Sequence, residues 1–288
     1  MEISITRREV IRMSVGAAAL ASATMIGAEG NAVSQVQRPR LKQSVSRWCF
    51  GGMSLEDLCK AAREIGLMGI DLLGEADWET VRKHGLECTM AVGIGSIPDG
   101  WNRIENHDRL VADAEKLIPK VAAAGWTNVV TFSGNRSGLA DDKGIANCVV
   151  GLKRIAALAE KHKVTVCMEL LNSKRSHPDY QCDRTAWGVE VCKKVGSERI
   201  RLLYDIFHMQ IMEGDLCDTI RENIAYIAHV HTGGVPGRAE IDATQEINYP
   251  RVCRALADAG YKGVVAHEFV PKRDPVTSLR EAYRICDV

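Results

Sequence analysis

The chain has 288 residues and ten cysteines, but it has no CxxC and no paired cysteine spacing. The thiols are scattered singly from Cys49 to Cys286, several within apolar runs such as VTVCMEL. A chain of this length can bury a full core without covalent staples, so the cysteines read as buried, reduced thiols, and zinc-finger chemistry is excluded by the spacing. Excess charge is missing too: 37 Lys+Arg balance 37 Asp+Glu. Without a basic stripe, nucleic acid is not an expected partner, nor is an anionic membrane surface. No GxGxxG follows the first apolar run, which argues against a dinucleotide-binding sheet. Internal repeats and low-complexity tracts are absent as well, and one catalytic domain is the simplest organisation.

The N-terminus is set apart by composition. TRREVIR at 6–12 precedes the small-residue apolar run MSVGAAALASATMIGA, which together form an export signal of the twin-arginine type around Arg7 and Arg8. The run is too short and too rich in Ala and Gly to anchor as a membrane span, so no stable insertion is expected after processing. Ala23 and Ala28 both suit cleavage. The reading is a signal over 1–28, a linker over 29–42 and a catalytic domain over 43–288, exported and periplasmic. A folded-protein export route would allow metal loading beforehand and would leave cysteines reduced.

From residue 43 onward, short β-branched runs alternate with helical patterns. Strands are expected at 44–50, 69–73, 86–93, 128–134, 164–170, 199–205, 225–231 and 263–269. Helical spacing fills 54–66, 75–84, 105–124, 144–162, 183–195, 215–223, 248–259 and 276–285, the first opening with Ser54 as N-cap and closing at Gly66. Continuously apolar strands imply a parallel sheet covered on both faces. Eight strand–helix units in series predict an α/β fold, a closed (β/α)8 TIM barrel. Association into a homo-oligomer through the outer helices stays open.

In such barrels chemistry sits where the strands run out. The last four runs end on Glu169, Asp205, His231 and Glu268, separated by 36, 26 and 37 residues, about one barrel unit each. Three carboxylates converging without a cation would repel one another, so one divalent metal ion is expected. An oxygen-rich set with one nitrogen favours Mn²⁺ or Mg²⁺, with Co²⁺ or Zn²⁺ also compatible. His208 and Arg238 fall in loops overhanging the same mouth, suited to hydrogen bonding a substrate and pairing with a carboxylate or oxyanion. Trp101, Asn172 and Arg175 are candidates for lining the pocket or for packing. His229 shares the inward phase of His231, and His267 points the other way.

YDIFHMQIMEGD at 204–215, HVHTGGVPGR at 229–238 and QEINYP at 245–250 closely resemble the hydroxypyruvate isomerase family of the xylose-isomerase-like barrels. The resemblance spans essentially the whole barrel and is strongest from Glu169 to Glu268. It implies that Glu169, Asp205, His231 and Glu268 bind the metal, that Glu169 and Glu268 also form the catalytic acid/base pair, and that His208 and Arg238 contact substrate. That family commonly carries Gln at the third ligand position, and His231 instead resembles the ketose 3-epimerases. The expected activity is isomerisation of a small hydroxy-carbonyl or sugar through an enediolate. The alternatives are a ketose 3-epimerase, a lyase acting on 3-keto-sugars or their glycosides, and a non-catalytic sugar-binding barrel. Metal-dependent phosphodiester cleavage is disfavoured, since neither extra His and Asp ligands nor a basic face is evident.

Overall fold

VTVCME and its counterparts are apolar at successive positions because both faces of each strand are covered: all five residues of Thr165–Glu169 are buried. The computed structural model describes residues 41–288. Among these, eight parallel strands close in sequence order, with the first pairing to the eighth. The order is β1 (Lys42–Ser46), α1 (Leu55–Ile65), β2 (Gly69–Leu73), α2 (Trp78–Lys83), β3 (Glu87–Ala91), α3 (His107–Ala123), β4 (Asn128–Thr131) and α4 (Asp141–His162). It continues with β5 (Thr165–Glu169), α5 (Thr185–Val195), β6 (Ile200–Asp205), α6 (Ile206–Met212), α7 (Leu216–Asn223), β7 (Ile227–Thr232), α8 (Tyr249–Asp258), β8 (Val264–His267) and α9 (Pro275–Cys286). The expected (β/α)8 barrel is therefore the observed fold.

Local chemistry explains the boundaries. Ser54 Oγ accepts from the Asp57 amide at 3.1 Å, and Gly66 ends α1 in the left-handed region at φ 102°. Two cores form. One lies between the strands and the surrounding helices, and a smaller layer inside the barrel joins Met90, Val130, Cys167 and Leu203. All ten cysteines are free, and nine are buried, as expected of reduced thiols.

Three expectations shift. Lys42 belongs to β1, so the barrel begins one residue inside the stretch read as linker. The run 44–50 leaves the sheet after Ser46, and Arg47–Phe50 makes a 3-10 turn that carries Trp48 onto the mouth. An unanticipated short helix, α6, follows β6 directly, because Asp205 caps it: its Oδ1 accepts from the His208 amide at 3.1 Å. The signal at 1–28 and the linker up to residue 40 lie outside the described residues. No helix among the described residues is long and apolar enough to cross a membrane.

Candidate metal centre

The closed barrel brings the four strand-end residues together. Asp205 and His231 are cross-strand partners of β6 and β7, Glu169 ends β5, and Glu268 follows β8, its amide donating to Thr232 O at 3.0 Å. One ligating atom from each of Glu169, Asp205, His231 and Glu268 lies within 4.8 Å of the others, and all four residues are buried. His231 Nδ1 faces the three carboxylates, 2.5 Å from Glu268, 3.5 Å from Glu169 and 3.9 Å from Asp205, without a well-formed hydrogen bond. A buried imidazole nitrogen packed against three carboxylate oxygens is a donor set that fits a divalent cation.

The electrostatics are those of crowded acids. Burial, with the nearby Glu268 and Asp205 charges, raises the Glu169 carboxyl to about 7 despite its contact with His231. Glu268 is equally buried, yet the Arg238 and His231 charges and the Trp48 N–H hold it well below the usual range. Trp48 Nε1 donates to Glu268 Oε1 at 2.5 Å. Arg238 Nη2 pairs with Asp205 Oδ2 at 2.5 Å and with Glu268 Oε2, and its guanidinium lies over the Phe207 ring, 4.7 Å from the centroid. The loop that delivers Arg238 is tight. Arg238 itself has φ 55°, and a Cβ at Gly234 would sit 2.2 Å from Glu240 O.

His208 stands one helical turn after Asp205, at the edge of the same pocket. Asn172 Oδ1 accepts from the Arg175 and Ser176 amides at 3.0 and 2.9 Å, which orients its NH₂ toward His208 Nδ1 at 2.6 Å. Burial keeps His208 neutral, lowering its pKa to about 3. Its single proton therefore sits on Nε2, 3.1 Å from Arg238 Nη1. Two N–H donors this close oppose one another, and an acceptor oxygen placed beside the pair would receive both. Arg175 is exposed on the loop after β5 and faces a second, outer cavity. Trp101 is fully buried and donates to Thr131 Oγ1, so it packs.

Asp71 and Trp48 were not singled out from the sequence. Asp71 projects from β2 into the barrel, fully buried, with Oδ2 2.8 Å from His231 Nε2 and Oδ1 3.0 Å from His229 Nε2. Thr89 Oγ1 donates to the same carboxylate at 2.6 Å. A carboxylate behind a metal-binding imidazole fixes its tautomer and leaves Nδ1 free for the ion. The usable signal was an unpaired acid within the apolar strand GIDLL, which cannot be buried without partners. His229 faces inward as expected, and His267 points elsewhere, to Gln43 and Thr232.

A parallel barrel with carboxylates and an imidazole gathered at the ends of its last four strands defines a barrel enzyme with a metal-capable mouth. The profile of the xylose isomerase-like TIM barrel family matches residues 57–286, and the chain belongs to that family. A human protein named "Putative hydroxypyruvate isomerase" is 35% identical over 229 residues, 78% of each chain. A D-psicose 3-epimerase of Ruminiclostridium cellulolyticum is 33% identical over 141 residues, covering 47% of this chain and 45% of its own. The solved 3-keto-D-glucoside 4-epimerase of Escherichia coli shares the fold at TM-score 0.70 and 19% identity, with 85% of this chain and 100% of that chain covered. With curated relatives named as isomerases and an epimerase, the chain is an enzyme of the isomerase/epimerase class.

Proposed function

We propose that the chain is a divalent-metal-dependent isomerase that moves a proton on a hydroxy-carbonyl or sugar substrate through an enediolate. The observation that carries the reading is the buried cluster of three carboxylates and His231, in which two glutamates border the same small space. Glu169, Asp205, His231 and Glu268 would hold the ion, Mn²⁺ or Mg²⁺ by preference, with Co²⁺ and Zn²⁺ accommodated by the same donors. When bound, the ion supplies electrophilic polarisation of the carbonyl and the adjacent hydroxyl, which acidifies the intervening C–H.

The protein's own groups do the rest. Glu268, kept ionised by Arg238, His231 and Trp48, takes the proton from carbon. Glu169, bordering the same small space, returns a proton as the other member of the pair. His208 Nε2–H and the Arg238 guanidinium converge on the substrate oxygen that gains charge. The same proton abstraction serves a 3-epimerase, and His231 favours that as the second reading, in line with the named epimerase relative.

The test is to load the protein with Mn²⁺ and incubate it in deuterated water with hydroxypyruvate, ketoses and 3-keto-sugars. Deuterium at the carbon beside the carbonyl supports the reading, and the product distinguishes isomerase, epimerase and lyase. Metal binding without label in any substrate would overturn it in favour of a sugar-binding barrel. We also propose that the enzyme works after export, on the strength of the Arg7–Arg8 pattern. Changing both to Lys should leave the product in the cytoplasm, and unchanged secretion would refute the route.

A further inference from the structure

Two cavities meet at the mouth. The inner one, about 530 Å³, is bounded by Glu169, His208 and Glu268 on one side and by an apolar wall including Trp48 and Phe132 on the other. The outer one, about 780 Å³, opens between the loop after β5, α6 and the loop after β7, and shares Ser176 and Arg238 with the first. A water molecule takes roughly 30 Å³ of the liquid. The inner cavity alone thus holds about 18 water volumes. A three-carbon hydroxy acid fills well under half of that, whereas one sugar ring fits it, and the outer cavity still remains beyond the ring.

The outer lining is chemically mixed. Phe207, Ile211 and Val235 give it apolar surface. Arg175, Gln210 and Glu246 line it with side chains that make no hydrogen bond or ion pair among the described residues. Its other cations are occupied: Lys174 Nζ donates to Ile211 O at 2.9 Å and Met212 O at 3.1 Å, and Arg238 is held by Asp205 and Glu268. Carbonyl contacts leave the charge of Lys174 in place, so with Arg238 paired the lining keeps two cations, Lys174 and Arg175, against the single carboxylate of Glu246. Free donors beside a free carboxylate, set around apolar patches, match the hydroxyls and C–H faces of a neutral sugar, whereas Glu246 would repel a phosphate or carboxylate placed against it.

We propose that the outer cavity is a second sugar-binding compartment, so that the substrate is a neutral glycoside whose reacting residue occupies the inner cavity and whose second residue sits against Arg175, Gln210 and Glu246. This deepens the proton-transfer reading and rests on it for which residue lies inside.

The test measures equilibrium binding to the Mn²⁺-loaded chain by calorimetry, separately from deuterium exchange. The probes are D-fructose, its glucosyl derivatives turanose, maltulose and isomaltulose, fructose 6-phosphate and hydroxypyruvate. At least one glucosyl-fructose should bind tenfold or more tightly than fructose, and Glu246→Ala should collapse that ratio toward one. Gln210→Ala, at a half-buried position on α6, should act in the same direction and guards against a single misfolded variant. Equal or undetectable binding of fructose and all its glucosyl derivatives overturns the proposal, as does tightest binding of fructose 6-phosphate or hydroxypyruvate. Tenfold tighter glycoside binding without deuterium exchange leaves the compartment standing and sinks the proton-transfer reading instead.

Discussion

The mouth of the barrel has two unlike halves. The ends of β5 to β8 supply Glu169, Asp205, His231 and Glu268, all buried and within 4.8 Å of one another. The ends of β1 to β4 and their loops supply Trp48, Leu72, Val92, Ile97, Val130 and Phe132, with no charge among the described residues on that side of the inner cavity. A substrate between them must turn its oxygens to one half and its C–H face to the other. The apolar half also thins the water over the acids, which strengthens every charge interaction there. Concentrating charge on one half has a consequence for folding: the carboxylates need a cation, and among the described residues Arg238 supplies one, with the His231 imidazole beside it.

The largest expected effect comes from the charged half. Glu169→Gln and Glu268→Gln keep the shape but lose the proton acceptor, and each should lower turnover and solvent-deuterium exchange by roughly 10³-fold. Phe132→Ala on the apolar half should act chiefly on KM. An equal loss of kcat in that variant would erase the distinction between the halves.

Asp71 is where the division breaks down, since it starts from β2 yet reaches under the mouth to His231. Asp71→Asn should weaken Mn²⁺ binding by about 10- to 100-fold by calorimetry, because the imidazole loses the group that orients it. Unchanged affinity, with the metal-free melting temperature lowered, would reduce Asp71 to a packing role.

The two halves also differ in how readily they can be read from sequence. Glu169, Asp205, His231 and Glu268 each end an apolar run, so one rule of barrel topology gathers them. The apolar wall has no such signature, because Leu72, Val130 and Phe132 look like any core residue. Trp48 was hidden by a strand expected to continue to residue 50; only the structure shows the chain leaving the sheet at Ser46. The run Ile206–Met212 is short and apolar, and its helix becomes visible only through the Asp205 cap. Arg238 was legible as a mouth residue, but its double pairing with Asp205 and Glu268 depends on a turn geometry that spacing does not encode.

The charged half should also make the metal-free protein sensitive to pH. His231 has its proton affinity raised: burial opposes this, but the Glu268 charge and contacts with Asp71 and Glu169 outweigh it. Its stabilising contribution is complete below the unfolded pKa, near 6.5, and is lost as pH climbs toward the folded value. Glu169 acts in the same direction up to about 7. His208 and His267, both lowered to about 3 by burial, favour the fold increasingly from there up to about 6.5 and add no slope above it. Between pH 6.5 and 8 the metal-free melting temperature should therefore fall, by about 2–4 °C for each kcal/mol lost. Excess Mn²⁺ should flatten or reverse the slope, because the ion takes the proton's place. A metal-free profile that rises across this window would contradict the crowded-acid description.

The smallest effect tests a contact that joins the two halves at the mouth. Trp48 is 53% exposed, yet its indole N–H reaches Glu268 Oε1 at 2.5 Å. Trp48→Phe keeps an aromatic face on the apolar wall and removes only that donor. One hydrogen bond to a charged group contributes about 1.5–3 kcal/mol, and here Arg238 and His231 still hold the same carboxylate, so the loss should fall at the low end. Turnover should drop by several-fold with KM little changed, and the acid limb of the kcat–pH profile should move upward as Glu268 becomes easier to protonate. Trp48→Ala, which also removes the face, should raise KM as well. Should Trp48→Phe instead raise KM and leave the pH profile in place, the indole would serve as a platform for substrate alone, and the two halves would be chemically independent.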